Sequence, residues 1–228
     1  MPQYSYFAQP IENISTKRII LYELLLREWN ANEERWVTPA SFAVPAETIV
    51  HILQKAIDVL DDHHVSINLT REQFADPLFT DAITAFVEAN MLPRQLTVEL
   101  VECPDFAVLK QMSARYRAAG VLLAIDDVGS DNLYSDVKDM LPYVNTIKFA
   151  LQNMRKHGCA TTKEEIAALQ FWFEQAEEQQ MLFTFEGIET EEDIALATRF
   201  GIHRGQGYFF SRPLEPQMFH DGHNSLVS

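Results

Sequence analysis

The chain has 228 residues, 47% of them apolar and 22% charged, a balance ordinary for a globular domain with one sizeable core. Its formal net charge of −15 repels a polyanion, which excludes DNA and RNA polymers as partners but admits a small phosphate ligand bound through cations. No apolar run reaches the ~18 residues of a membrane span, no basic-then-apolar leader opens MPQYSYFAQPIEN, and Cys103 and Cys159 lack metal-type spacing, so the expectation is a cytoplasmic chain with reduced thiols and no membrane partner.

Along the chain, strand-like and helix-like patterns alternate. Strands are predicted over 4–9 and 18–26 (RIILYELLL), then a helix over 47–64. VSINLT (65–70) reads as a strand and PLFTDAITAFVEAN (77–90) as a helix. QLTVELVE (95–102) is a strand, and the helix over 106–120 stops at Gly120. Strands follow over 121–127 and 144–151, then a helix over 163–180. A strand over 181–189, a helix over 191–201 and a last strand within 201–210 complete the pattern. Residues 1–228 read as one domain, with a core at about 4–216 and a polar tail over 217–228.

Strands separated by helices imply a parallel sheet, and apolar runs without alternation imply burial on both faces. On that pattern alone a closed barrel and a doubly wound open sheet both remain. The polar residues decide between them. Glu23, Asn68, Glu99 with Glu102, Asp126 with Asp127, Lys148, Glu186 with Glu189, and Gln206 fall at the ends of successive strands. A carboxylate in an apolar strand is costly unless it is paired or bound to metal. One such residue is ordinarily a structural ion pair. A series at the C-terminal ends of different strands points to convergence, because those ends meet at the mouth of a parallel barrel. The fold expected is therefore α/β, a TIM-like (β/α)8 barrel.

Glu23, Asn68, Glu99, Asp126, Asp127 and Glu186 offer hard oxygen donors, and no His or Cys lies among them. That set favours Mg2+ or Mn2+ over Zn2+. The adjacent aspartates suit two metals about 3.5–4 Å apart, a clamp for in-line attack on a phosphodiester. Lys148 fits either of two compatible roles, holding or deprotonating the attacking water or balancing the acids.

The same residues sit in an ordered set of motifs. QPI and LYELLLRE, TPASFAVPAE, INLT, VELVE, AIDDVG, IKFA, FEGIET and GQGYFFSRPL run in order over about 9–214. Together they resemble the EAL domain, a bacterial family of cyclic di-GMP phosphodiesterases. The resemblance implies an EAL-type barrel, two metal ions per site and cyclic di-GMP as the ligand, hydrolysed to linear pGpG. It implies that Glu23, Asn68, Glu99 and Asp126 bind one metal, and Asp126 and Asp127, with Glu186 nearby, the second. It gives Lys148 to the catalytic water, Gln206 to substrate and water, Arg27 to a ligand phosphate, and Glu102 to steadying the loop after Asp127. It also makes a homodimer through that loop an expectation.

The chain departs from the family pattern in five places: LPYVNTIK is one residue longer before the lysine, and four positions carry a different residue. Leu24 stands for Ala in the signature triplet, Asp131 for the second glycine of the loop, Ala150 for the acid two places after the lysine, and Asn145 for an upstream acid. Leu24 is expected to shift packing under the ligand, and Asp131 to tolerate positive φ less well than glycine. Two readings follow: an active phosphodiesterase, which retained metal and lysine positions support, or a receptor or regulator without turnover, which Ala150 and the altered loop support.

Overall fold

Strand pairing closes the chain into a ring. β1 (Tyr4–Asn13) and β2 (Ile19–Asn30) form an antiparallel hairpin, with Gln9 opposite Glu23. β3 (Arg35–Val37) pairs with the outer end of β2 and stays outside the ring. β4 (His64–Leu69) lies parallel to β2, followed in parallel by β5 (Leu96–Leu100) and β6 (Leu122–Ile125). β7 (Thr146–Ala150), β8 (Leu182–Glu186) and β9 (Arg204–Gly205) continue in the same sense. β9 then meets β1 antiparallel, through Glu12–Gly205 and Asn13–Arg204, and eight strands make a closed barrel. The α/β barrel expected from converging acids is thus the fold, with one strand of eight reversed. The computed structural model describes residues 2–60, 63–155 and 161–220.

Helices cover the outside by burying one face each. In α1 (Ala46–Leu60) the buried residues are Ile49, Ile52, Leu53, Ala56 and Leu60, the i, i+3, i+4 spacing of one helical stripe. α2 (Arg71–Ala75) is a single capped turn, with Thr70 and Gln73 satisfying each other's backbone. α3 (Pro77–Asn90) has the bounds its sequence predicts and buries Phe79, Ile83, Phe86 and Val87. α4 (Phe106–Ala118) stops just before Gly120, whose φ is 78°. α5 (Tyr134–Val137) and α6 (Leu151–Met154) are short turns at the barrel mouth. α7 (Lys163–Glu178) buries Leu169, Trp172 and Ala176 and leaves Phe171 exposed. α8 (Glu191–Phe200) ends on left-handed Gly201. The tail expected from residue 217 opens with α9 (Gln217–His220), whose Phe219 ring packs 4.9 Å from that of Tyr22.

Strand bounds differ from the sequence reading at several ends, with β1 running on to Asn13, β2 to Asn30 and β8 stopping at Glu186, and two of the differences have a plain local reason. The strand expected over 121–127 ends at Ile125, because Asp127 turns the chain with φ of 50°. The strand expected within 201–210 shrinks to Arg204–Gly205, because a turn closes by Phe210 N–H donating to Gly207 O. Cys103 is a free, half-buried thiol packed against the core, pushed up to about 12 by burial. Cys159 lies outside the described residues. Among the described residues no helix is long and apolar enough to cross a membrane.

Candidate active site

Alternation along each strand turns every second side chain into the barrel. Glu23 enters from β2, Asn68 from β4, Glu99 from β5, Lys148 from β7 and Glu186 from β8. Asp126 and Gln206 stand one residue past β6 and β9. The sequence spreads these residues over some 180 positions; the barrel gathers them around one nitrogen. Lys148 Nζ lies 2.7 Å from Glu99 Oε2, 2.8 Å from Glu186 Oε1, 3.2 Å from Glu23 Oε2 and 3.4 Å from Asp126 Oδ1. Asn68 Nδ2 donates to Glu23 Oε1 at 2.7 Å, and Gln206 Nε2 donates to Glu23 Oε2 at 2.8 Å. Gln206 also donates to Gln9 Oε1, and Gln9 Nε2 to Ser211 O, which ties the mouth to the closing strand.

Charge is badly out of balance in this cluster. Four buried carboxylates surround one ammonium, and the half-buried Asp127 adds a fifth beside them. Burial disfavours the ionised form of each acid, and neighbouring acids add to it. Glu99 is raised to about 8 by burial, then by Glu23 and Asp126, against the opposing pull of Lys148. Burial likewise raises Asp126 to about 6, and Glu186 well above the ordinary carboxylate range. Burial would raise Glu23 too, but Lys148, Gln206 and Asn68 outweigh it and hold it low. Burial would lower Lys148, yet the four acids around it keep it protonated.

The donor set fits divalent cations. One oxygen each from Glu23, Glu99 and Asp126 lie within 4.8 Å of one another, as do oxygens of Asp126, Asp127 and Glu186, so Asp126 belongs to both groups. Asn68 Oδ1 and Glu186 Oε1 are buried acceptors without a hydrogen bond; Glu186 Oε1 is near Lys148 Nζ but off the hydrogen-bond direction. Two divalent cations would bring five carboxylates and one ammonium to neutrality. The site opens on a cavity of 410 Å3 lined by Glu23, Asp126, Asp127, Glu186, Gln206 and Tyr208 among others.

The loop after Asp126 is held by backbone. Asp127 O accepts from the N–H groups of Ser130, Asp131 and Asn132 at 3.2–3.4 Å. Asn132 Nδ2 donates to Asp126 O and to Val101 O. Gly129 takes φ of 92°, and a Cβ there would stand 2.9 Å from Trp172 Nε1.

Several expectations change here. Glu102, expected to steady this loop, is exposed and makes no hydrogen bond or ion pair with it among the described residues; Asn132 supplies that grip. Asp131 carries no positive φ, so the loss of glycine strains nothing; the positive φ values fall on Asp127 and Gly129. Leu24 is fully buried in the core on the strand face opposite Glu23, away from the mouth. Arg27 shares the face of Glu23 and Leu25 but lies outside the cavity wall; its Nη1 donates to Leu26 O and its guanidinium sits 5.7 Å from the Phe7 ring centre. Gln9, Asn132 and Asn153 were not read from the sequence as site residues. Gln9 had a signal, an amide inside an apolar strand, whereas nothing local marks Asn132 or Asn153.

A family model described as EAL domain matches residues 3–213. The probable cyclic di-GMP phosphodiesterase PdeB of Escherichia coli (strain K12) is 28% identical over 239 residues, covering 92% of this chain and 43% of that protein. The chain spans less than half the length of the curated relatives it matches first. The structure of an EAL domain protein from Listeria monocytogenes EGD-e superposes with a TM-score of 0.82 at 20% identity, covering 96% of this chain and 92% of that one. The FimX EAL domain from Pseudomonas aeruginosa, bound to c-di-GMP, gives 0.73 at 23% identity, covering 92% and 90%. These structural likenesses carry the fold; the family match, spanning nearly all of the chain and every residue of the acid cluster, carries the assignment: the chain belongs to the EAL domain family.

Proposed function

We propose that this domain hydrolyses one phosphodiester of cyclic di-GMP to linear pGpG, with two Mg2+ or Mn2+ ions at the barrel mouth. The observation that carries the reading is the ring of four carboxylates around Lys148, with Asp127 beside it, opening on the cavity. Bound cations there supply Lewis-acid polarisation of the phosphate and a more acidic attacking water. Glu23, Asn68, Glu99 and Asp126 suit one ion; Asp126, Asp127 and Glu186 suit the other.

The chain's own groups do the positioning. Lys148 is protonated and donates, orienting water or a phosphate oxygen; taking a proton requires that the acids around it first be neutralised. Gln206 Oε1 is a buried acceptor without a partner, suited to receive a hydrogen bond from water. Arg27 offers a forked donor to the outer phosphate from the strand face it shares with Glu23. The cations also offset the repulsion that a chain of net charge −15 exerts on an anionic ligand. PdeB and the c-di-GMP-bound FimX domain make this dinucleotide the ligand to try first.

The test is incubation of the purified chain with cyclic di-GMP and Mg2+ or Mn2+, followed by chromatography. Accumulating pGpG supports the proposal. A second reading, a receptor without turnover, is favoured by Ala150, where β7 puts a methyl group in register with Glu186. Tight binding without product supports that one, and neither binding nor product removes both.

A further inference from the structure

We propose that Asn153 is a positioning residue for Asp127, setting the affinity of the second cation where Ala150 leaves β7 without an acid. The inference rests on the two-metal reading above and adds a residue to it.

Asn153 lies on α6, the single turn that follows Ala150. Its Nδ2 donates to Asp127 Oδ1 at 2.7 Å and to Ser130 Oγ at 3.2 Å. It lines the same cavity as Asp126, Asp127 and Glu186, the group able to share the second ion. Asp127 is the candidate ligand most in need of orientation. It is only half-buried, it lies outside any strand, and its backbone is left-handed at φ of 50°. Its carbonyl is anchored by three loop amides, which fixes the main chain and leaves the carboxylate to rotate. Among the described residues, Asn153 is the only side chain that donates to that carboxylate. Holding one oxygen aims the other, the usual job of an outer residue behind a metal ligand.

α6 is itself pinned. Arg155, one residue beyond it, pairs with Asp193 at 2.6 Å and donates to Gly187 O. The amide of Asn153 is therefore presented from a fixed turn and costs Asp127 no rearrangement when a cation arrives.

The experiment titrates the full chain with Mn2+ by calorimetry, comparing wild type, Asn153→Ala and Asn153→Ser. Asn153 is exposed, so the variants keep the fold, checked by melting temperature. In Asn153→Ala the weaker of the two Mn2+ ions is expected to bind roughly ten- to a hundredfold less tightly, the stronger within twofold of wild type. Asn153→Ser, which retains a donor, is expected to recover part of the loss. In turnover, the Mn2+ concentration for half-maximal rate should rise. Both Mn2+ affinities unchanged in Asn153→Ala overturn the inference and leave the two-metal reading standing. Two ions bound without turnover retain the inference and remove the phosphodiesterase reading. A wild type that binds fewer than two Mn2+ overturns the inference directly.

Discussion

At the scale of the residue, the site is an argument between burial and charge. Lys148 is 1% exposed and faces four acids, so it is the counter-charge that lets the cluster exist without cations. Lys148→Met should destabilise the cation-free protein by about 3–5 kcal/mol, because it leaves buried acids unpaired. Mn2+ should restore most of that loss, and paired melts with and without Mn2+ measure it. Glu23→Ala should lower pGpG formation at least about a hundredfold, since it strips one cation of a ligand and Asn68 and Gln206 of their acceptor. Its melting temperature should fall little, because the deletion also relieves crowding among the acids. Unchanged turnover would remove the metal assignment. At this scale the sequence was most legible: Glu23, Glu99, Asp126, Glu186, Asn68, Lys148 and Gln206 meet and Asp127 stands beside them, whereas Glu102 does not join them. The residues that hold them in place were less so. Asn132 acts through a backbone carbonyl 31 positions away, at Val101, and no local pattern encodes such a partner.

Elements were legible in proportion to their length. Long amphipathic helices such as α3 have the bounds their sequence predicts, because a stripe of four buried apolar residues is hard to mimic. β3, α5 and α6 span only three or four residues and hold no period of their own. α2 carries its signal in Thr70 and Gln73, three apart, the pair that caps its single turn. What fixes α6 is the ion pair beyond it. Asp193 caps the start of α8, accepts from the Glu189 and Thr190 N–H groups, and takes both Nη groups of Arg155. Burial would raise its carboxyl, but the bonds from Arg155 and the Glu189 N–H overcome that and hold it low. A depressed carboxylate contributes stability that is complete above its unfolded value of 3.8 and is lost as pH falls through the folded one. Asp193→Ala should cost about 3 kcal/mol and flatten that acid-side loss, read by denaturant melts from pH 5 down to pH 2.

For the whole molecule, the raised acids set a pH dependence of the opposite sign. Glu99 goes from 4.5 unfolded to about 8 folded, and Asp126 from 3.8 to about 6. Across that window the folded state keeps protons the unfolded chain has released, so cation-free stability should fall as pH rises from 4.5 toward 8. Cations displace those protons, so the gain in melting temperature on adding Mn2+ should be larger at pH 8 than at pH 6. An equal gain at both would mean the acids are not the ligands. The barrel itself was legible from where the polar residues fell, whereas its reversed first strand was not, because alternation says nothing about direction.

That first strand has a consequence for synthesis. β1 can zip onto β2 as soon as residue 30 has emerged, but its other edge must wait for Gly205, and Ala8 for its bridge with Leu214. Until then the nascent sheet is an open ribbon with a bare rim at each end, the form in which strands pair with strangers. The ring shuts only once Gly205 has left the ribosome. A polypeptide halted before about residue 205 should therefore be sensitive to protease and sticky, however well its first strands have formed.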